Sequence, residues 1–255
     1  MFVDSHCHLD KLDYTDLHNG IEDVINKAKQ AKVESLLSVG VTLDSFPKML
    51  EMIAPYEQVH ASCGVHPLDV ESDFSLDKLY EYAKHPKVVA IGETGLDYHY
   101  QPETAELQKL RFEQQVELAV EVNKPLIIHT RNAREDTLSI LKNGGADKCG
   151  GVIHCFTEDL KFAESAMELG FYISISGIVT FRQAKELKEV VAALPLERLL
   201  IETDSPYLAP VPHRGKENQP AYAVEVASYI AQLKGASLSS VAEKTTKNYH
   251  DLFLR

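Results

Sequence analysis

The chain of 255 residues predicts an α/β fold: a single-domain (β/α)8 (TIM) barrel over 1–255, with an extra helix at the C-terminal end. Three observations carry this expectation. Eight short apolar runs alternate with longer amphipathic stretches, which is an even count of βα units. Several runs are continuous rather than alternating, as parallel strands covered on both faces require. Acids and imidazoles recur where the runs end, the side on which such barrels build their sites. An open doubly wound sheet is the rival; the even count and the placement of the polar residues favour the barrel.

Taken in order, the first run, 2–6, reads as a buried strand. Ile21, Val24, Ile25 and Ala28 then share one helical face. A second strand at 35–40 leads to Asp44, a residue type suited to a helix N-cap. The third strand, 59–64, is followed by a similar cap at Ser75, and the fourth occupies 88–92. Phe112, Val116, Ala119 and Val120 line the next helix. Strand five, 125–129, leads to a cap at Asn132, and strands six to eight occupy 151–154, 171–176 and 199–202. Val226, Ile230 and Leu233 mark a helix, and a last helix covers about 239–252.

Hydrophobic residues make up 44% of the chain and charged residues 25%, enough apolar surface for a large core. No apolar stretch reaches the length of a membrane span, and the start Met1-Phe2-Val3-Asp4 lacks the features of a secretory signal. Cys7, Cys63, Cys149 and Cys155 are scattered, without a paired framework. They read as reduced thiols in a cytoplasmic protein. The net charge of −12 argues against a broad basic surface that grips long duplexes. A metal cluster can still invert the field locally where a phosphate must sit.

The chemistry collects at the strand ends. Strand one ends in His6-Cys7-His8, strand three leads to His66, and strand four to Glu93. Strand five ends at His129, strand six at His154, and strand eight leads into Glu202 and Asp204. One histidine at a strand end is more often a hydrogen-bonded structural residue than a ligand. Six strands delivering imidazole or carboxylate to one face is a different matter, because burying so many ionisable groups without a cation is costly. His6 and His8 stand at i and i+2, on the same side of a strand, and can chelate one ion together.

The motifs narrow the reading. Asp4-Ser5-His6-Cys7-His8-Leu9, Gly64-Val65-His66-Pro67 and Ile91-Gly92-Glu93-Thr94-Gly95-Leu96-Asp97-Tyr98 come first. Ile128-His129-Thr130-Arg131, His154-Cys155-Phe156, Glu202-Thr203-Asp204-Ser205-Pro206 and Pro212-His213-Arg214-Gly215-Lys216-Glu217-Asn218-Gln219-Pro220 follow. In this order the chain resembles the TatD-like metal-dependent hydrolases over essentially its whole length. Each motif alone is weak; seven in order at strand ends are specific. The resemblance implies an amidohydrolase-like barrel and a deoxyribonuclease, with several relatives acting as 3′–5′ exonucleases on single strands. It implies that His6, His8, Glu93 and Asp204 hold one divalent ion, and that Glu93, His129 and His154 hold a second, Glu93 bridging.

Paired ions can clamp a phosphate and activate a water, which makes Glu93 and Asp204 the catalytic candidates, Asp204 as general base or as ligand only. Four histidines with carboxylates suit Zn, Mn, Co or Ni, while Mg often supports nucleases of this family. Arg214 and Lys216 in a glycine-containing loop, Arg131 and His66 are the expected substrate contacts, with Arg182 a helper. Asp97 and Glu202 are expected to orient histidines, and Phe156, Tyr98 and Tyr207 are candidates for base stacking. The expected substrate is a nucleic acid or oligonucleotide, with no membrane and no obligate protein partner. The alternative is a metal-dependent ester or amide hydrolase, such as an aminoacyl-tRNA deacylase. A non-catalytic metal-binding scaffold is a third possibility, against which the complete ligand set argues.

Overall fold

The computed structural model describes residues 1–254. Among them, eight strands alternate with helices: β1 Phe2–Cys7, α1 Ile21–Gln30, β2 Val33–Val39, α2 Phe46–Ile53, β3 Val59–Cys63, α3 Leu76–Ala83, β4 Val88–Asp97 and α4 Ala105–Glu121. There follow β5 Leu126–Arg131, α5 Arg134–Asn143, β6 Gly151–Ile153, α6 Leu160–Glu168, β7 Phe171–Ile175, α7 Lys185–Ala193, β8 Leu199–Ile201, α8 Ala223–Lys234 and α9 Leu238–Phe253. The strands lie in chain order in one sheet, and every neighbouring pair is parallel. This is the expected (β/α)8 barrel.

The ring is drawn together at the C-terminal ends of the strands. Cys7 and Ser205 form a parallel bridge. The Asp204 N–H donates to the His6 carbonyl at 2.9 Å, and the His8 N–H donates to the Ser205 carbonyl at 2.8 Å. The segment that closes the barrel is therefore the one that carries Asp204.

Beneath the site the barrel is filled. Val3, Leu37, Val39, Ala90, Ile127, Val152 and Leu200, drawn from six strands, pack into one cluster with Tyr249, Leu252 and Phe253 of α9. The extra C-terminal helix thus plugs the barrel at the end opposite the site. Burying Leu252 and Phe253 stabilises the fold by roughly 1.5–3 kcal/mol each. A second, larger apolar layer lies between the strands and the surrounding helices.

β4 runs to Asp97, five residues beyond the predicted end at 92. Its polar residues look like a strand's exit, yet pairing with β5 continues as Gly95–His129, Leu96–Thr130 and Asp97–Arg131. Two glycines make this possible. Gly92 and Gly95 have φ of +143° and +134°, and a Cβ on Gly95 would collide with the His129 carbonyl.

Helix starts are met in part. Ser75 caps α3, its hydroxyl accepting from the Lys78 N–H. Asp44 does not cap α2: the Thr42 hydroxyl accepts from the Ser45 N–H, and the Asp44 carboxylate pairs with Lys78 at 3.2 Å. Asn132 sits in a left-handed turn with φ of 55°, and α5 begins two residues later without a side-chain cap. The last helix starts one residue before the expected 239, because Ser237 caps it. Cys7, Cys63 and Cys155 are free thiols, and among the described residues no helix is long and apolar enough to cross a membrane.

Candidate metal centre

Glu93 is the hub. It leaves β4 fully buried, with its carboxylate pointing into a ring of imidazoles. Oε2 lies 3.4 Å from His6 Nε2, on β1, and 4.0 Å from His8 Nε2, one residue past its end. Oε1 lies 3.2 Å from His66 Nε2, 3.3 Å from His129 Nδ1 and 2.7 Å from His154 Nε2. The two oxygens thus serve two different groups of histidines. Asp204 stands on the first side, its Oδ1 3.6 Å from His6 Nε2 and 3.4 Å from His8 Nε2.

The partners of the far ring nitrogens decide what each histidine can offer. The Val39 carbonyl lies 3.3 Å from His8 Nδ1, and a proton donated there leaves Nε2 with its lone pair facing inward. Asp97 Oδ2 lies 2.9 Å from His129 Nε2 and fixes the complementary tautomer, with Nδ1 facing inward. Glu202 Oε1 lies 3.3 Å from His154 Nδ1 as a charge contact, without a hydrogen bond to fix that ring's tautomer. His66 is reversed. The Leu68 N–H donates to its Nδ1 at 3.1 Å, so the proton resides on Nε2 and points at Glu93. As held, His66 is a donor in the cavity, not a lone-pair ligand.

The charges respond to this crowding. Burial alone would raise the Glu93 carboxyl, but the charge on His154, then that on His66, outweighs it and holds the group well below the usual carboxylate range. Asp204 is lowered too, its bond to His8 and the nearby His6 overcoming burial. Against their own burial, His154 is raised well above its usual value by Glu93 and Glu202, and His129 is raised by Asp97 and Glu93. His8 is raised by Asp204. His6 is lowered, by burial and by His154 stacked on it with ring centroids 3.9 Å apart.

These residues fit a metal centre on the structure's own terms. His154 Nε2 is pressed to 2.7 Å from Glu93 yet makes no hydrogen bond, and His6 Nδ1 and Glu202 Oε2 are buried with none. Nitrogen lone pairs and carboxylates converging without enough protons between them are reconciled by cations. Two donor sets are tight enough to hold an ion, His6, His8 and Glu93, and His6, His154 and Glu202; His66, Glu93 and His129 are grouped as closely, with His66 turned as a donor.

The centre opens into a cavity of about 640 Å³. His8, His66, Glu93, His129, His154 and Asp204 line it, as does Arg131, whose guanidinium lies over the Tyr100 ring. Arg214 and Lys216 are not among its lining residues. Arg214 lies 3.6 Å from the centre of the Phe181 ring. Their loop is pinned by Glu217, which accepts from the Asp13 N–H and lies 3.2 Å from His18. Arg182 is likewise outside. Of the candidate stacking residues, Tyr207 lines the cavity; Phe156 is core, and the Tyr98 hydroxyl donates to Asp136.

Sequence reasoning missed Tyr100 and Lys11 in the cavity wall. It also missed Asp4, whose carboxylate accepts from the Thr203 N–H and hydroxyl and from the His6 N–H, tying β1 to the Asp204 segment. Burial pushes the Asp4 carboxyl up to about 8. The available signal was its place two residues before His6.

The chain is similar to known proteins over nearly its whole length. The family model described as TatD related DNase matches residues 3–254. A metal-dependent hydrolase of Escherichia coli strain K12, YcfH, is 51% identical over 98% of this chain and 95% of its own. The 3′-5′ ssDNA/RNA exonuclease TatD of Klebsiella pneumoniae strain 342 is 33% identical over 91% of each chain. The crystal structure of the TatD homologue YJJV from Escherichia coli K12 superposes with a TM-score of 0.93 at 29% identity. That match covers 100% of this chain and 98% of that one.

Proposed function

The chain belongs to the TatD related DNase family, and from that premise we propose that it is a metal-dependent phosphodiesterase trimming single-stranded DNA or oligonucleotides from the 3′ end. One observation carries the reading: the two oxygens of Glu93 address separate histidine groups. His6, His8, Asp204 and Glu93 Oε2 would hold one divalent ion; His129, His154 and Glu93 Oε1 would hold the other. When bound, such ions polarise a phosphoryl group and make water acidic near neutral pH. The donor set suits Zn, Mn, Co or Ni for tight binding, with Mg as an alternative working ion.

The chain's own groups do the rest. Asp204 lines the cavity in its carboxylate form and accepts the proton of the attacking water. His66 donates from Nε2 to a phosphoryl oxygen. Arg131 and Lys11 in the cavity wall neutralise the phosphate. Arg214 and Lys216, outside the cavity, are left for phosphates further along the strand. The net charge of −12 fits weak non-specific grip, so recognition is local. The free thiols of Cys7, Cys63 and Cys155 fit a reducing compartment, and the proposal is for a cytoplasmic enzyme.

The test is an end-labelled single strand incubated with purified protein and Mg2+ or Mn2+. Shortening from the 3′ end is expected. No shortening by folded, metal-loaded protein, or turnover confined to aminoacyl esters or amides run alongside, overturns the reading.

Asp97→Asn gives a second expected result. The amide cannot accept from His129 Nε2 at Oδ2 as the carboxylate does, so the imidazole turns its proton toward Glu93. Metal affinity should fall about 10–100-fold, measured by competition with a chelator. Unchanged affinity would remove His129 from the ligand set.

A further inference from the structure

Two tyrosine rings are left in solvent at the mouth of the cavity: Tyr100 is 60% exposed and Tyr207 55%. Both line the same cavity as Glu93, and each is tethered to a different side of it. The Tyr207 N–H donates to the Asp204 carbonyl at 2.9 Å, and its ring centroid stands 6.1 Å from that of His8. The Tyr100 N–H donates to Asp97 Oδ1 at 2.8 Å, and Asp97 Oδ2 holds His129. His8 and Asp204 belong to the Oε2 side of Glu93 and His129 to the Oε1 side. The rings therefore flank the centre.

Tyr100 is also a braced ring. The Arg131 guanidinium lies over it, 4.7 Å from the centroid, with Nη1 3.4 Å from the hydroxyl. A cation covering one face restrains the ring and leaves the rest of an exposed aromatic surface open. Wasting that much apolar area beside a centre built for anions has a simple use: a flat, π-faced group joined to a phosphate.

We infer that Tyr100, backed by Arg131, is a stacking platform for a nucleobase, with Tyr207 its counterpart across the centre, so that the site takes unpaired nucleotides on both sides of the phosphate. A base inside a duplex has both faces covered by its neighbours and cannot stack on either ring; an unpaired one can. The inference rests on the phosphodiesterase reading and deepens it, by assigning the choice of single strands to two side chains rather than to a basic surface.

The experiment uses a phosphorothioate-linked single strand with 2-aminopurine at each of the two 3′-terminal positions in turn, mixed with metal-loaded protein. Stacking on wild type quenches the fluorescence. Tyr100→Leu should abolish the quench at one position and weaken binding roughly 10–100-fold; Tyr100→Phe, which keeps the ring, should retain both. In parallel, kcat/KM is measured on ordinary and abasic-substituted strands, where the losses from Tyr100→Leu and from base removal should not add. An unchanged quench in Tyr100→Leu, or fully additive losses, overturns the platform. Wild type that shortens strands without any quench overturns the platform alone. A quench without hydrolysis under any divalent ion keeps the platform and sinks the phosphodiesterase reading, and absence of both removes both.

Discussion

Replacing Glu93 by alanine is expected to empty both proposed ion positions together and to lower kcat by about 10³-fold or more. Bound ions supply several kcal/mol to the transition state, and each 1.36 kcal/mol is a factor of ten. The reasoning is geometric. Asp204 reaches His6 and His8 alone, whereas the Glu93 oxygens reach those two and also His66, His129 and His154. Removing the carboxylate leaves the raised His154 without its main counter-charge, so the remaining imidazoles repel rather than converge on a cation. Glu93→Gln keeps one oxygen but turns an amide N–H2 toward one of the histidine groups, and should retain one ion at most. Elemental analysis after gel filtration, with rates on the substrate wild type turns over, separates these outcomes. Two ions retained per Glu93→Ala chain would mean that the histidine groups bind independently, and the shared-carboxylate proposal would fall.

The barrel was legible in the sequence because a parallel strand covered on both faces is apolar along much of its length, as several of the eight runs are. The strand end that misled was that of β4. Glu93, Thr94 and Asp97 look like an exit from the core, whereas the strand buries them against β5 through two glycines. The converging side chains were legible for a related reason. Barrel sites form only at the C-terminal ends of strands, so a histidine's position along its run foretells where it meets the others. Ring orientation was legible only in part. Which nitrogen of His8 or His66 faces inward depends on the Val39 carbonyl and the Leu68 N–H, backbone groups that carry no signature in the sequence, whereas Asp97, which orients His129, is a side chain and was expected to orient a histidine. Loops were read least well. Arg214 stood in a phosphate-binding context by its neighbours, but Glu217 bonding to the Asp13 backbone fixes the loop's course, and Arg214 rests on Phe181. Tyr100 escaped notice because its place in the cavity is set by Asp97 three residues earlier.

Divalent ion at a thousandfold excess over Kd is expected to raise the unfolding temperature by roughly 8–16 °C for each site filled, and about twice that with both filled. Saturation to that extent contributes about 4 kcal/mol per site, and each kcal/mol moves Tm by about 2–4 °C in a chain of this size. The increment should widen as pH rises. His8, His129 and His154 are raised, so in the metal-free protein they hold protons that an ion must displace, and affinity strengthens with pH until those protons are gone. Without metal the same three groups stabilise the fold below their ordinary value of 6.5, and that contribution is lost as pH climbs through their raised values. Glu93 and Asp204 are lowered; their contribution is present above their ordinary values of 4.5 and 3.8 and is lost only as pH falls through the lowered ones. His6, itself lowered, is neutral already and has no proton to release. Toward alkaline pH, therefore, metal-free Tm declines while ion binding tightens, and the two scans should separate. Calorimetry with and without Mn2+ or Zn2+ across this range measures the gap. A gap that is flat, or that grows toward acid, would mean that ions bind without displacing the histidine protons, and the imidazoles would have to be removed from the coordination proposed for this centre.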